Sequence, residues 1–205
     1  MKPILFNTDM VRAILDGRKT VTRRVVKFRH GQNPKWTGYI PDGPVLYGSN
    51  NIPASKSPYH PGDILYVRET WNKVKLASES DWHYEYRASC ENPAYFSNGF
   101  MAEWRPSIHM PKEAARLFLW VKAVRVERLQ AITPEQIDAE GFKEWAYSAK
   151  TGELLPSSPS FFRIGWDKTI NPADLPLYGY DANPWVWVIE FERVRKETAL
   201  KGGEG

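Results

Sequence analysis

Apolar residues occur along this chain in short bursts separated by long polar stretches, and the spacing within each burst names the element it predicts. Met10, Val11, Ile14 and Leu15 recur at helical spacing, which predicts a short helix over 7–16. Thr8 or Asp9 can cap its start, and Gly17 sits where a helix stops by entering a left-handed turn. Residues 25–28 alternate weakly and predict the first strand, whereas 29–60 fill with Gly, Pro, Asn and Ser and predict a long loop or small insertion. Pro61-Gly62-Asp63 is a turn leading into a strand at 64–68, with Leu65 and Val67 on one face and Ile64, Tyr66 and Arg68 on the other.

A second polar insertion follows at 72–104, with a strand at 82–87 inside it. Prolines bracket 105–111 into a rigid loop, and 112–116 predict a helical turn. A long strand over 117–129 changes phase between Val121 and Val124, as at a bulge or barrel corner. Thr133-Pro134-Glu135-Gln136 combines a hydroxyl cap, a first-turn proline and a capping-box glutamine, so a short helix starts there and ends at Gly141. Residues 143–158 read as loop and 160–170 as helix, while 185–194 form a closing strand that is apolar on both faces at its start and therefore central. Residues 196–205 read as a frayed tail. These elements predict one α+β, barrel-like domain over 1–195, with insertions at 29–60, 72–104 and 143–184.

Composition narrows the function classes. The 205 residues hold no apolar run near the length of a membrane span, so no membrane partner is expected. The single cysteine, Cys90, excludes an internal disulfide and a cysteine-based zinc cluster. With no leader pattern at Met1-Lys2-Pro3-Ile4, the expected compartment is the cytoplasm. The four histidines, at 30, 60, 83 and 109, lack metal-ligand spacing, and no Gly-rich phosphate loop is present; neither metal nor cofactor is expected. A net charge of +4 permits a nucleic-acid partner without requiring one. Nine Trp and ten Tyr beside 28 Lys and Arg suit single-stranded or flipped-base recognition, since bases stack on aromatic faces while cations meet phosphate; the same aromatics also serve as core filler.

Chemistry concentrates in Gly17-Arg18-Lys19-Thr20-Val21-Thr22-Arg23-Arg24, where cations and hydroxyls crowd one short stretch. Lys19 beside two arginines is pushed towards its neutral form, which suits a base or nucleophile; alternatively it is a solvated lysine paired with Asp16. Arg23 and Arg24 fit a phosphate, or pair with carboxylates inside the fold. Glu69 sits where a strand exits, able to accept from a base's exocyclic amine or to pair with Arg23 or Arg24, and Trp71 beside it is a stacking platform or a lid. Ser107 and His109 lie in the proline-clamped loop, where His109 is either a proton shuttle or structural.

The pattern Gly-x-Lys-x-x-Thr-x-Arg at Gly17, Lys19, Thr22 and Arg24 resembles the signature of the ASCH domain family. Segments 61–71, 105–111 and 183–188 resemble its phage and prophage members, so the likeness spans most of the chain. The resemblance implies a PUA-like β-barrel that recognises RNA or a modified nucleoside in a cleft formed by 17–24, Arg68 to Trp71, 105–110 and Glu140. It further implies that Lys19, Thr22 and Glu140 match the Lys–Thr–Glu set of members that deacetylate 4-acetylcytidine. There lysine deprotonates the threonine hydroxyl, which attacks the acyl carbon, while glutamate holds or protonates the partners. A ribonuclease acting on single-stranded RNA through the same basic cleft is the other catalytic alternative. The chain is longer than compact members, and the surplus lies in the three insertions.

Overall fold

A computed structural model describes residues 1–28, 35–40, 43–47, 53–75, 81–96, 99–142 and 159–201. In chain order the elements are β1 (Lys2–Leu5), α1 (Thr8–Leu15), β2 (Val21–Val25), β3 (Lys35–Ile40), β4 (Gly43–Tyr47), β5 (Pro53–Lys56), β6 (Ile64–Arg68), β7 (Trp71–Lys75) and β8 (Trp82–Tyr86). These are followed by β9 (Phe118–Arg128), α2 (Pro134–Ala139), α3 (Pro159–Asp167), α4 (Leu175–Tyr178), β10 (Trp185–Val194) and α5 (Lys196–Lys201). The architecture is mixed α+β. Its main sheet has the order β1-β6-β9-β10-β2, beside a three-stranded sheet β3-β4-β5 and a β7-β8 pair. The main sheet has two ends, β1 and β2, so the expected closed barrel is corrected to an open sheet.

The chain divides into two compact units. The first comprises 1–17, 63–120 and 192–205; the second comprises 18–62 and 121–191. In the first unit β1 runs parallel to β6, with Lys2 opposite Leu65, and β6 pairs antiparallel with the start of β9. Leu65 and Val67 on one face of β6 are fully buried, while Ile64, Tyr66 and Arg68 are half-buried, matching the alternation read from sequence. Trp71, Met110, Ala114, Ala115, Phe118 and Ala199 form one buried apolar cluster of this unit. Ala199 belongs to α5, so the expected frayed tail is instead a helix with a buried side chain as far as 201; residues 202–205 lie outside the described residues.

In the second unit β10 pairs antiparallel with β2, with Val188 opposite Arg23 and Ile189 opposite Thr22. Val186, Trp187, Val188 and Ile189 are all buried, as expected of an internal strand covered on both faces. The core here gathers Val21, Leu129, Ile132, Ile137, Phe162, Trp166, Val186 and Val188.

Three local expectations change. The cap of α1 is Asn7, whose side chain accepts from the Met10 N–H, one residue before Thr8 and two before Asp9, the predicted caps. The strand expected at 25–28 lies at Val21–Val25, inside the charged stretch, because strand pairing with β10 overrides its low hydrophobicity. The described parts of 29–60 contain the antiparallel β3, β4 and β5 rather than loop alone, and Trp71 opens β7. The expected loop at 143–158 lies outside the described residues.

Gly17 has φ of 73°, and an added Cβ would meet nothing within 4 Å, so only backbone strain opposes a side chain there. Gly17→Ala should therefore cost about 1 kcal/mol in urea unfolding, and Gly17→Asn less. Equal stability of the alanine variant and wild type would contradict this account of the turn.

Candidate functional site

The predicted site residues fall into two groups, and each belongs to one compact unit. Lys19, Thr22, Arg23, Arg24 and Glu140 lie in the second unit. Gly17, Arg68, Glu69, Trp71, Ser107 and His109 lie in the first.

In the second unit, three consecutive residues close the end of α2. Arg18 Nη1 donates to the Gly141 carbonyl (3.1 Å), Lys19 Nζ to the Glu140 carbonyl (2.9 Å), and the Thr20 N–H to the Ala139 carbonyl (2.8 Å). Helix ends leave such carbonyls without intrahelical partners, and cations and N–H groups satisfy them. The helix itself is placed by the capping box of Thr133 and Gln136 and stopped at Gly141, whose φ is 86°.

Lys19 is 3% exposed and Glu140 4%, yet their charged atoms meet at 2.6 Å. Lys19 Nζ also donates to the Val21 carbonyl at 2.8 Å. Three acceptors thus surround the ammonium, one for each of its protons. Burial pushes the Lys19 pKa down from its ordinary 10.5; Glu140 opposes that shift, and Arg24 and Arg23 add to it. Arg23, also 3% exposed, donates to Glu140 Oε1 (3.2 Å), Gln136 Oε1 (2.6 Å) and Glu127 Oε2 (3.4 Å). Arg125 in turn bonds Glu127 and Glu190. Cations and carboxylates therefore alternate along Lys19, Glu140, Arg23, Glu127, Arg125 and Glu190. The chain of ion pairs runs from a sealed interior to a half-exposed end.

Thr22 is buried, and Arg24 is half-buried. Val21 and Val25 join the core, so strand alternation puts Thr22 and Arg24 on the face of β2 opposite Arg23. Burial lowers the Arg24 pKa, while Tyr59 and Glu140 raise it. The structure therefore brings Lys19 and Glu140 together, with Arg23 as a third member, and sets Thr22 and Arg24 on the other strand face. Of the two readings of Arg23, phosphate contact or internal ion pair, its partners here are internal.

In the first unit Glu69 is 1% exposed and accepts from Arg116 Nε and Nη2, each at 2.9 Å. Its partner is thus Arg116. Burial pushes the Glu69 pKa up, and the Arg116 hydrogen bond and charge oppose the rise. Arg116 also donates to Ser89 Oγ (2.7 Å) and lies 4.0 Å over the Tyr86 ring. Arg68 donates from Nε to the Met110 carbonyl (2.9 Å) and from Nη2 to the Ile108 carbonyl. It thereby braces the 3-10 turn that carries half-buried Ser107 and exposed His109. Trp71 is 4% exposed, with the Arg105 guanidinium 5.5 Å over its ring and Tyr84 at 5.7 Å, an enclosed ring rather than an open platform.

Sequence reasoning missed Gln136 and Glu127 as partners of Arg23, and Arg116 as the partner of Glu69. Gln136 carried a signal as the capping-box residue; Glu127 alternates with Arg125 along β9, the pattern of a charged strand face. Arg116 carried none. Among the described residues no group of three or more His, Cys, Asp and Glu could hold a metal ion, and no helix is long and apolar enough to cross a membrane. Comparison with protein-family models, with curated proteins and with solved structures finds no match.

Removing one partner of a buried pair strands the other's charge, so Lys19→Ala should cost roughly 3–5 kcal/mol in urea unfolding. Lys19→Ala combined with Glu140→Gln should cost less than the two single losses added together, because the double variant strands no carboxylate. Strict additivity would show that the pair is not coupled. A pH dependence follows from the lowered Lys19 pKa. Between that folded value and 10.5 the unfolded chain binds more protons, so stability attributable to Lys19 rises with pH across the window and levels off above it. Urea midpoints of wild type should rise relative to those of Lys19→Met from about pH 8 to about pH 11, so that the wild-type advantage grows with pH. Divergence in favour of the methionine variant at high pH would contradict the shift.

Proposed function

We propose that the chain is an ASCH-type, PUA-like domain that recognises a modified nucleoside, free or within single-stranded RNA, in the cytoplasm. One observation carries the reading. The stretch 18–20 packs on the end of α2 and buries Lys19 against Glu140 at 2.6 Å, which joins two of the three residues that the ASCH resemblance assigns to one site. Recognition is favoured over catalysis by the proton inventory of Lys19. All three donors already have protein acceptors, and Arg23 donates to the other Glu140 oxygen, so the protonated amine has no lone pair on offer. Arg24, half-buried on the far face of β2, is the cation we assign to the ligand.

A second reading rests on the same buried lysine. Burial lowers the Lys19 pKa and so favours the neutral amine. On this reading Thr22 turns to the amine, which takes the hydroxyl proton as the oxygen attacks the acetyl carbon of a 4-acetylcytidine-type base; the proton passes to the departing cytosine amine and water then hydrolyses the acetyl-threonine. Ribonuclease action on single-stranded RNA remains the third reading.

The test incubates the protein with 4-acetylcytidine and follows both melting temperature and conversion to cytidine by chromatography. Recognition predicts a rise of roughly 5–10 °C at about 100 times Kd, no cytidine, and a smaller rise for Arg24→Ala. Cytidine produced by wild type and lost in Thr22→Val would instead establish the hydrolase. Cleavage of labelled single-stranded RNA, lost in Arg24→Ala, would establish the nuclease. No stabilisation and no turnover with the nucleoside or with short RNA would overturn the assignment.

A further inference from the structure

A separate concavity lies wholly within the first compact unit. It has a volume of about 400 Å³ and is lined by Arg116, Arg193, Val194, Arg195, Lys196 and Glu197. Four cations thus face one carboxylate around a single hollow. Glu69, which is not in the lining, pairs with Arg116, and this leaves Arg193, Arg195 and Lys196 against Glu197 among the lining residues. The side chains of Arg193, Arg195 and Lys196 are exposed and make no ion pair or hydrogen bond with another described residue. Uncompensated like charges repel one another, and an anion in the hollow relieves that repulsion.

Arg116 distinguishes this hollow from an ordinary solvated run of basic residues. Its guanidinium is fixed by two bonds to Glu69, itself 1% exposed, by a bond to Ser89, and by stacking on Tyr86. Three of its five N–H donors are thereby used, and two remain for a ligand. A guanidinium held in one orientation loses little entropy on binding, and its planar fork matches two oxygens of a phosphate. The surrounding flexible cations then reach the remaining oxygens. The volume falls in the range of ligand sites and exceeds the needs of a lone carboxylate.

We propose that the hollow lined by Arg116, Arg193, Arg195 and Lys196 is a phosphate-binding site, with Arg116 as its fixed donor and Glu69 as the residue that positions it. The ligand is a phosphate group, carried by a nucleic-acid strand, by a mononucleotide or as the free ion. This assignment is independent of the nucleoside reading at Lys19, because it uses residues of the other unit and a group that a nucleoside lacks.

The test measures binding of a short fluorescein-labelled oligouridylate to the full chain by anisotropy across a salt series, with inorganic phosphate and uridine 5′-monophosphate as competitors. Arg193→Ala, Arg195→Ala and Lys196→Ala combined should weaken binding roughly tenfold or more and flatten the log Kd against log salt slope by about 2, since each lost phosphate contact removes about 0.7. A control that removes equal charge elsewhere, Lys27→Ala, Lys122→Ala and Lys168→Ala combined, should stay within about twofold of wild type. Arg116→Lys keeps the charge but loses the fork, and should weaken binding while preserving the salt slope. Displacement by inorganic phosphate or the mononucleotide supports the site with a free phosphate as sufficient ligand; displacement by unlabelled oligouridylate alone supports it with a strand as ligand. The pocket variants should leave the 4-acetylcytidine melting shift untouched, so failure of one assignment is read separately from failure of the other. Unchanged affinity and slope in the triple variant, an equal loss in the control, or no oligouridylate binding by wild type at low salt would each overturn the proposal.

Discussion

The constraint on which the second unit depends is the need to finish a short helix without leaving its last carbonyls bare. α2 ends in the interior, with Glu140 buried beside its final turn. Arg18, Lys19 and the Thr20 backbone supply donors to three successive carbonyls, and the Lys19 ammonium also meets the Glu140 carboxylate. The same segment continues directly into β2, so one set of contacts fixes both the helix end and the strand that pairs with β10. A carboxylate at a helix C-terminus is unfavourable by itself, and the lysine makes it tolerable.

Charge balance extends that arrangement. Along Lys19, Glu140, Arg23, Glu127, Arg125 and Glu190 each cation has carboxylates for neighbours, so the interior end needs no outside counter-ion. Desolvating several charges is costly, and hydrophobic replacements often stabilise such places. What the ion pairs supply here is position: they hold β2 in one register, with Thr22 and Arg24 on the face opposite the network.

Where a residue's local pattern decided its structure, that structure was legible in the sequence. The capping box at Thr133, the left-handed Gly17, the alternation at 64–68 and the doubly apolar strand at 185–194 all rest on interactions within a few residues, and all are observed. Elements that depend on distant partners were not legible. β2 is too charged to read as a strand until β10 pairs with it, and β3 to β5 carry too many turn-forming residues to show a period. The open sheet replaces the expected barrel because closure is set by strand order, which no local pattern encodes. At the site, the resemblance drew attention to Lys19 and Glu140 together, and the structure places them in contact. Arg116, the partner of Glu69, lies 47 positions further along, beyond the reach of any local pattern.

The central claim is that Lys19 is a structural ammonium with all three protons committed. Nitrogen-15 NMR of the lysine side chains tests it most directly, with the Lys19 signal assigned through its loss in Lys19→Arg. The account predicts a slowly exchanging, fully protonated Lys19 amino group at neutral pH. A neutral or rapidly exchanging amine at that pH would contradict it, and would return Lys19 to the role of a base.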